Sequence, residues 1–413
     1  MKKLLTKSLA VCLSVLLIAF SAILPASAFS VSKLGDYKVT GEKVYTLVGG
    51  VTERELVLNK NSGDHQQYIF VLEVAADNEN AAFVTGYNDG DADEWGLATS
   101  RDQAHALEDT RDIDVVASIN GGFHNTRVGE PEGLVIMNGE IVHPTNGYPF
   151  FGVTKDGTPV IRGGYDRTDD LQEAIAGYCF LVENGVAVAG ATGKLAPRTA
   201  VGIKADGTVI ICVNDGRQDP YSYGFDNDEF AAVMRDLGCV TALNFDGGAS
   251  STILTQREGT EDIELRNQPS NGYERKISAT LHIYTKAAAT GEFDHVSFYE
   301  PAYECALGES ITLDVFAVDC FGYKTEFPAG GKLVVEDESY GTVKDTTFTA
   351  KDKAGTVTVS YVLDGETLAS TEISTYKKDV LGNMFSKLVD IFNTIRHLFE
   401  RLIEELGERL FGL

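Results

Sequence analysis

The sequence predicts an α+β fold: a mixed β-sheet domain with few helices, then an all-β sandwich and a C-terminal amphipathic helix. Between residues 30 and 285, short β-branched or aromatic runs alternate with turns that contain Gly and Asp, as expected for strands joined by tight connections. Two stretches in this part carry apolar residues at helical spacing. Residues 292–377 show the alternation of strands alone, and residues 383–412 show the periodicity of one long helix.

The composition describes a globular and strongly acidic protein. The chain has 413 residues, of which 43% are hydrophobic, enough to bury one large core and a smaller second one. It carries 35 Lys and Arg against 61 Asp and Glu, a formal net charge of −26. Such a surface repels phosphate backbones and no basic run offsets it, so we expect no nucleic-acid partner.

The first 28 residues predict a secretory signal peptide and not a part of the fold. Basic residues precede an almost wholly apolar run over residues 9–24, and Ala26-Ser27-Ala28 follows as a small-residue cleavage pattern. A retained membrane anchor is the alternative. Cleavage after Ala28 predicts a secreted or cell-surface protein.

Five cysteines follow this segment, an odd number that leaves at least one of them unpaired or paired between molecules. Cys179, Cys212 and Cys239 lie in apolar runs, which is typical of buried thiols. Cys305 and Cys320 flank one strand-like segment, and the sequence leaves open whether they form a disulfide.

A first domain is expected over residues 29–286. Asp-Gly pairs at 156–157 and 206–207 lie between apolar runs, which predicts two β-hairpins. The two predicted helices cover residues 100–109 and 226–237.

The second of these helices has recognisable ends. Asn227 or Asp228 can cap its first turn, and Gly238 follows its last apolar residue. The two helices among many strands are the reason for predicting an α+β class.

A short Ala-rich linker precedes a second domain, expected over residues 292–377. Short alternating strands are separated by turns such as Asp364-Gly365. The stretches 341–350 and 355–359 resemble bacterial immunoglobulin-like domains of surface proteins, and this resemblance implies an immunoglobulin-like β-sandwich.

The predicted helix over residues 383–412 has apolar residues every three or four positions, with four basic and five acidic residues between them. A helix that adsorbs to anionic lipid is usually rich in Lys and Arg. We therefore expect self-association or docking on another chain or on the cell envelope, the alternative being a helix that packs back on its own domain.

Several familiar catalytic motifs are absent from the sequence, including His-Glu-x-x-His, Cys-x-x-Cys, a complete phosphate-binding loop and Gly-x-Ser-x-Gly. Instead, three apolar runs each lead into an amide or carboxylate followed by glycine. These are 115–119 before Asn120-Gly121-Gly122, 209–213 before Asn214-Asp215-Gly216, and 240–243 before Asn244-Phe245-Asp246-Gly247-Gly248.

Strands that end in this way present reactive groups at one rim in many folds, and glycine lets the backbone approach a ligand closely. Arg198 adds a guanidinium that can grip a phosphate through two hydrogen bonds. Any one of these patterns marks a turn more often than an active site. Their joint occurrence predicts a cleft in which Asn120, Arg198, Asp215 and Asp246 converge.

Five motifs, in order over residues 115–284, resemble the phosphodiester glycosidase family. They are Ile119-Asn120-Gly121-Gly122-Phe123, Glu132-Gly133-Leu134-Val135-Ile136, Pro197-Arg198-Thr199-Ala200-Val201-Gly202, Asp215-Gly216-Arg217-Gln218 and Ala242-Leu243-Asn244-Phe245-Asp246-Gly247-Gly248-Ala249-Ser250-Ser251-Thr252. Three positions depart from the family pattern: Ala249 replaces a third glycine, Ala279 replaces an Asn, and His124 stands where many relatives carry Phe.

The resemblance implies hydrolysis of a sugar-1-phosphodiester at the anomeric C1–O bond, with a carbohydrate phosphodiester as substrate. Asp246 would act as nucleophile or general base, and either Asp215 or Glu132 as the second carboxylate. The implied catalytic residues are Asp246, Asp215 and Glu132, and the implied substrate-binding residues are Asn120, Gly121, Gly122, Arg198, Thr199, Arg217, Asn244, Gly247, Gly248 and Ser250.

Three alternatives stay open. No cofactor is expected, but Asp215, Asp246 and Asn244 offer the oxygen ligands that Ca²⁺ or Mg²⁺ prefers. The chain could also be a non-catalytic glycan-binding or cell-surface interaction protein on the same fold, because binding does not require intact carboxylates. The weakest alternative is a phosphodiesterase that cuts the P–O bond.

Overall fold

A computed structural model describes residues 32–378, apart from residues 61, 63–64, 89–94, 189 and 191–193. The predicted signal peptide and the predicted helix over residues 383–412 lie outside the described residues. Within the described ranges, no helix combines the length and the apolar composition needed to cross a bilayer.

The predicted α+β class is wrong, because the protein is mostly β. Of the described residues, 49% lie in strands and 7% are helical. Both predicted helices exist, as α1 (Ser100–Arg111) and α2 (Asn227–Asp236). They do not form a layer of their own, since each covers the outer face of a β-sheet. The segments around them are strands throughout, so two correct helices do not make an α+β protein.

The first part of the chain contains nineteen of the described strands. They are β1 (Lys33–Leu34), β2 (Tyr37–Thr46), β3 (Thr52–Lys60), β4 (Gln66–Val74), β5 (Ala81–Tyr87), β6 (Asp114–Asn120), β7 (Val135–Met137), β8 (Glu140–His143), β9 (Phe150–Thr154), β10 (Pro159–Arg162), β11 (Leu171–Ala176), β12 (Cys179–Glu183), β13 (Val186–Ala187), β14 (Arg198–Lys204), β15 (Val209–Asn214), β16 (Cys239–Asn244), β17 (Ile253–Thr255), β18 (Glu264–Leu265) and β19 (Ala279–Thr285).

The second part contains ten described strands. They are β20 (His295–Phe298), β21 (Ala302–Ala306), β22 (Ser310–Thr312), β23 (Val315–Val318), β24 (Lys324–Thr325), β25 (Lys332–Val335), β26 (Gly341–Lys344), β27 (Thr347–Ala350), β28 (Gly355–Leu363) and β29 (Glu366–Tyr376).

Three antiparallel sheets build the first part. The strand orders are β1-β2-β3-β4-β15-β14-β16-β12-β13, β10-β9-β11-β7-β8 and β18-β17-β6-β19-β5. One hydrophobic core joins all three sheets, with residues such as Phe83, Phe151, Val201 and Leu281 in contact. The sheets therefore fold as one unit, and their strand ends are held in fixed relation to each other.

Strand β15 shows how the apolar sequence runs are used. Val209, Ile211 and Val213 belong to the core between the sheets, whereas Ile210 and Cys212 belong to a second core under α2. Successive side chains of a strand point to opposite faces, so a strand covered on both faces is apolar at every position. This explains why the sequence here shows an unbroken apolar run.

The predicted hairpins are confirmed. The Asp-Gly pair at 156–157 connects β9 to β10, the pair at 206–207 connects β14 to β15, and both glycines have a positive φ. One detail of the helix prediction is wrong, since Asp226 caps α2 in place of Asn227 or Asp228. Its side chain accepts a hydrogen bond from Glu229 N at 2.8 Å.

The second part of the chain forms three small sheets, with orders β20-β23-β24, β21-β29-β28-β25 and β22-β27-β26. Its core includes Phe348, Val359 and Ile373. The immunoglobulin-like assignment of this part stays a prediction. Cys305 is buried and Cys320 is exposed, and both are free thiols, so the structure contains no bridge between them.

The two parts are joined by main-chain and ionic contacts. Gly49 N donates to Phe321 O at 2.9 Å, and Gly259 N donates to Gly322 O at 2.9 Å. Lys43 of the first part pairs with Glu300 of the second at 2.7 Å. The buried Arg257 also reaches Glu300, at 3.6 Å, and pairs with the fully buried Glu53 within the first part. Because a buried charge is tolerated only when it is paired, this cluster depends on both partners.

Strand direction places the candidate site at one rim. β6, β15 and β16 end there at Asn120, Asn214 and Asn244, and the antiparallel β14 begins there, with Arg198 opposite Asn214 and Ala200 opposite Asn244. Sheet register therefore aligns the ends of β14, β15 and β16, whereas β6 belongs to another sheet and is joined to them by the hydrogen bond from Asn120 Nδ2 to Asp246 O at 2.8 Å.

Candidate active site

Asn120 is the residue that ties the strand ends together. Its side chain is 1% exposed. Its Nδ2 donates to Asp246 O at 2.8 Å, and its Oδ1 accepts hydrogen bonds from Thr199 Oγ1 at 2.8 Å and Thr252 N at 3.2 Å. Both ends of the amide are committed to the protein, so Asn120 positions the loop after β16 and does not face a ligand.

The Asp246 carboxyl is held on the glycine-rich loop that follows β16. The backbone N of Asp246 donates to Gly121 O at 3.0 Å, and its Oδ1 accepts a hydrogen bond from Gly247 N at 2.8 Å. Burial raises the pKa of this carboxyl, while the Ser250 hydroxyl, His124, Gly247 N–H and Arg275 act to lower it. Asp246 is only half-buried and therefore accessible to a ligand.

Two residues beside Asp246 were not predicted as site residues. Arg275 donates from Nη1 to Ser250 Oγ at 3.4 Å, and its charge acts on both Asp246 and His124. The imidazole of His124 is 7% exposed, and neither ring nitrogen has a hydrogen-bond partner among the described residues. Burial lowers the pKa of His124, opposed by the negative charge of Asp246.

Sequence signals for these two residues existed. His124 follows the motif that contains Asn120 and is itself a departure from the family pattern, and Arg275 lies four residues before Ala279, another such departure. The sequence could not show that these two residues lie near Asp246, because Arg275 is on the separate segment that leads into β19.

Two arginines flank the glycines on the other side of the loop. The Nη1 atom of Arg217 lies 3.2 Å from the position a Cβ would take on Gly248, and the side chain of Arg217 is exposed. Among the described residues, its guanidinium has no hydrogen-bond or ion-pair partner. Arg198 is half-buried, and its Nε and Nη2 donate to Phe225 O at 3.0 Å and Lys194 O at 3.1 Å. Arg217 is therefore the more available of the two cations.

Asp215 lies behind the loop and not within the cleft. It is fully buried and accepts hydrogen bonds from Tyr221 Oη at 2.9 Å, Asn267 Nδ2 at 3.0 Å and Gln268 N at 3.0 Å. Burial raises its pKa to about 6 despite these donors. Asn267 Nδ2 also donates to Ser251 O at 3.0 Å, so Asp215 supports the Asp246 loop from beneath.

Glu132 is attached to the segment that follows β6, through Phe123. Its side chain is exposed, its backbone N donates to Phe123 O at 2.7 Å, and its charge acts on His124. Of the two proposed second carboxylates, Glu132 is thus the one open to solvent. No contact between Glu132 and Asp246 is present among the described residues.

The glycines serve close packing as well as access. A Cβ on Gly122 would lie 2.2 Å from Ala176 O, one on Gly121 would lie 2.7 Å from Ala279 O, and one on Gly247 would lie 2.7 Å from Pro197 O. Of the four glycines that follow Asn120 and Asp246, Gly248 alone has a positive φ, at 64°. These residues bring β6, β11 and β14 against the loop, which any side chain would prevent.

The remaining predicted binding residues are buried beneath the site. Thr199 and Ser250 are fully buried, and Asn244 is 2% exposed. Asn244 Nδ2 donates to Phe245 O at 2.5 Å, while its Oδ1 has no partner among the described residues. Within the described part of the chain, no group of three or more His, Cys, Asp or Glu side chains is arranged to hold a metal ion.

A cavity of about 780 Å³ opens at the opposite end of the strands from Asp246. Its lining includes Arg111, Lys155 and Glu173. Glu173 accepts hydrogen bonds from Arg111 Nη1 at 2.9 Å and from Asn138 N at 3.1 Å. Arg111 and Glu173 are thus paired with each other, whereas Lys155 Nζ donates to Asp169 O at 2.9 Å.

Comparison with known proteins identifies the segment that carries the site. A model of the family described as phosphodiester glycosidase matches residues 114–284. That segment is similar to the phosphodiester glycosidases. The match includes Asn120, Asp246 and Arg275, and it confirms the resemblance inferred from the five motifs.

Curated relatives match over shorter lengths. The chain is 29% identical over 162 residues to the N-acetylglucosamine-1-phosphodiester alpha-N-acetylglucosaminidase of Mus musculus. The matched segment covers 33% of this chain and 31% of that protein. The chain is also 33% identical over 87 residues to the SPbeta prophage-derived uncharacterized protein YomE of Bacillus subtilis, which covers 21% of this chain and 12% of that protein. The chain thus spans less than a third of the length of these relatives.

Solved structures with a similar chain course include the zebrafish N-acetylglucosamine-1-phosphodiester alpha-N-acetylglucosaminidase catalytic domain. It has a TM-score of 0.45 and 19% identity, covering 61% of this chain and 86% of that chain. A hypothetical protein from Synechocystis has a TM-score of 0.46 and 15% identity, covering 60% of this chain and 64% of that chain.

Proposed function

We propose that this chain is an exported hydrolase that cleaves the glycosidic C1–O bond of a sugar-1-phosphodiester. The observation that carries the proposal is the half-buried Asp246 carboxyl on a glycine loop, with Arg275 linked to it through Ser250. Over Gly248 lies the guanidinium of Arg217, which has no partner among the described residues. Export is proposed from the pattern of residues 1–28.

The reaction needs a carboxylate at the sugar carbon. When the C1–O bond breaks, positive charge develops on C1 and the ring oxygen, and a carboxylate stabilises this charge or attacks C1 directly. Asp246 is assigned this role. Ser250, Gly247 N–H and Arg275 favour its ionised form against the effect of burial, and Asn120 fixes the backbone that carries it.

The reaction also needs cationic donors at the phosphate. A phosphate diester leaves as an anion, so it requires charge stabilisation more than protonation. Arg217 supplies a guanidinium without a protein partner among the described residues, and such a group binds phosphate oxygens through charge-assisted hydrogen bonds. Arg198 lies beside it and adds positive potential while holding the chain at Phe225 and Lys194.

The mouse relative's name supplies the first substrate to test, an N-acetylglucosamine-1-phosphodiester. A cell-wall or capsular polymer with sugar-phosphate links is the proposed natural source of such a bond for an exported protein.

A second candidate function is non-catalytic glycan binding. It is favoured by the placement of the second carboxylates, because Asp215 is buried under three donors and Glu132 makes no contact with Asp246 among the described residues. A glycan-binding protein would use the same cleft without turning over its ligand.

The test is hydrolysis of an N-acetylglucosamine-1-phosphodiester by the purified chain in ¹⁸O-labelled water, with products analysed by mass spectrometry. Label in the released sugar supports the proposal. Label in the phosphate shows cleavage of the P–O bond and contradicts it. Saturable binding without products, for this and other hexose-1-phosphodiesters, favours the glycan-binding function.

A further inference from the structure

Four aromatic side chains form a row that starts beside the Asp246 loop. The ring centroids of Phe123 and Tyr178 are 5.1 Å apart, and those of Tyr178 and Tyr148 are 5.4 Å apart. Tyr165 lies close to the outer end of this series, because its Oη is 2.6 Å from the position a Cβ would take on Gly147, the residue before Tyr148 in the chain. We call Phe123, Tyr178, Tyr148 and Tyr165 the aromatic row.

The inner end of the row is attached to the candidate site. Tyr178 N donates to Asn244 O at 2.8 Å, two residues before Asp246. Phe123 lies two residues after Gly121, whose carbonyl accepts the hydrogen bond from Asp246 N. The two inner rings therefore stand on the same strand ends that hold the carboxylate.

Two of the four side chains in the row are exposed to solvent. Phe123 and Tyr148 are half-buried, Tyr178 is 45% exposed and Tyr165 is 83% exposed. Single exposed aromatics are ordinary on protein surfaces. Four neighbouring aromatic side chains beside the candidate site are a larger feature, of the kind that marks a binding surface.

We propose that the aromatic row is a stacking platform for sugar rings, so that the substrate is an extended glycan bearing the phosphodiester and not a small diester alone. The proposal rests on the function proposed above for Asp246. Pyranose rings present flat C–H faces that pack on aromatic rings, and tyrosine hydroxyls bond to sugar hydroxyls at the ring edge.

The composition around the row favours a glycan over a protein partner. The loops that carry Tyr148 and Tyr165, residues 144–149 and 163–166, contain no Leu, Ile, Val or Met. Protein interfaces usually have an apolar core in which such residues accompany the aromatics. Rings set among Gly, Pro, Thr and Asn are suited to a polar ligand that offers apolar faces.

The test compares two substrates that carry the same N-acetylglucosamine-1-phosphodiester, one with a methyl group and one with an oligosaccharide beyond the phosphate. The variants are Tyr165→Ala, Tyr178→Ala and Tyr178→Phe, with Tyr376→Ala on β29, 41% exposed, as the matched control. The measured quantity is the ratio of KM for the methyl substrate to KM for the oligosaccharide substrate.

The full chain is expected to prefer the oligosaccharide substrate, and each Ala variant in the row to reduce that preference by about three- to tenfold, the usual effect of one ring contact. Tyr178→Phe and Tyr376→Ala should retain it. A ratio that is the same in the unmodified chain and in both Ala variants overturns the proposal.

Calorimetry with the oligosaccharide alone separates this proposal from the proposed function. If the chain hydrolyses neither substrate but binds the oligosaccharide, and Tyr178→Ala weakens that binding, the platform stands and the hydrolase function fails. If the oligosaccharide does not bind and no preference is seen in hydrolysis, the platform is contradicted whatever the fate of Asp246.

Discussion

The side-chain amide of Asn120 donates to the backbone carbonyl of Asp246 at 2.8 Å, across 126 residues of sequence. This bond links the end of β6 to the loop after β16, and the same amide oxygen accepts from Thr199 and Thr252. The carboxylate is thus positioned by a neighbouring strand end as well as by its own loop.

Replacing Asn120 with Ala should lower both stability and turnover. The change leaves a buried carbonyl and a buried N–H without partners, which costs about 1–3 kcal/mol for each group. We expect the free energy of unfolding to fall by at least about 2 kcal/mol in urea titrations. An unchanged midpoint of unfolding would show that the bond contributes nothing.

Replacing His124 with Phe should move the acidic limb of the pH profile for kcat/KM to higher pH. His124 lowers the pKa of the Asp246 carboxyl, which burial raises, so removing the imidazole raises that pKa further. A base that must be ionised is then lost at a higher pH as the solution is acidified. As the pH is lowered, the His124→Phe variant therefore loses its activity at a higher pH than the unmodified chain does.

The control for this measurement is His105→Gln, since His105 lies on the exposed face of α1 and pairs with Asp262. Its profile should coincide with that of the unmodified chain. If the acidic limb of the His124→Phe profile moves to lower pH, or does not move, His124 does not lower the pKa of Asp246.

Replacing Arg217 with Met should weaken catalysis through phosphate binding. A charge-assisted hydrogen bond contributes about 1.5–3 kcal/mol, so kcat/KM should fall by roughly 10- to 100-fold. Arg217→Lys keeps the charge but loses the paired donors, so its kcat/KM should lie between those of the unmodified chain and of Arg217→Met. Arg167→Met, at an exposed ion pair, serves as control. If all three variants behave alike, Arg217 does not contact the phosphate.

Replacing Gly122 with Ala should destabilise the fold. The added Cβ would lie 2.2 Å from Ala176 O, a backbone atom that cannot move without displacing β11. We expect a loss of about 2 kcal/mol or more, as for an overpacked core. Gly190→Ala, where nothing lies within 4 Å, is the matched control. Thermal melting of both variants checks this, and equal melting temperatures would refute it.

Much of the local structure follows from the sequence because it depends on near neighbours. Asp-Gly pairs predicted the hairpins β9-β10 and β14-β15, and helical spacing predicted α1 and α2. The apolar run of β15 predicted a buried strand, and that strand is covered on both faces. The α+β class failed because helical spacing shows that helices exist but not how little of the fold they occupy.

The site was predictable only in part, because side-chain partners depend on distant segments. Antiparallel register brings Arg198 and the loop of Asp246 to one rim, and contact between two sheets adds Asn120, as the strand-end pattern predicted. The same pattern could not show that Asn267 and Gln268 occupy the oxygens of Asp215, about fifty residues away. Nor could it place Arg275 beside Ser250, since no local spacing relates the two.

The central claim is that Asp246 is the carboxylate that acts at the sugar carbon. The most direct measurement is kcat for sugar release from an N-acetylglucosamine-1-phosphodiester by the unmodified chain and by Asp246→Asn, with melting temperatures for both. We predict a loss of at least about 10²-fold in kcat without loss of the fold. A folded Asp246→Asn variant with nearly unchanged kcat would contradict the claim.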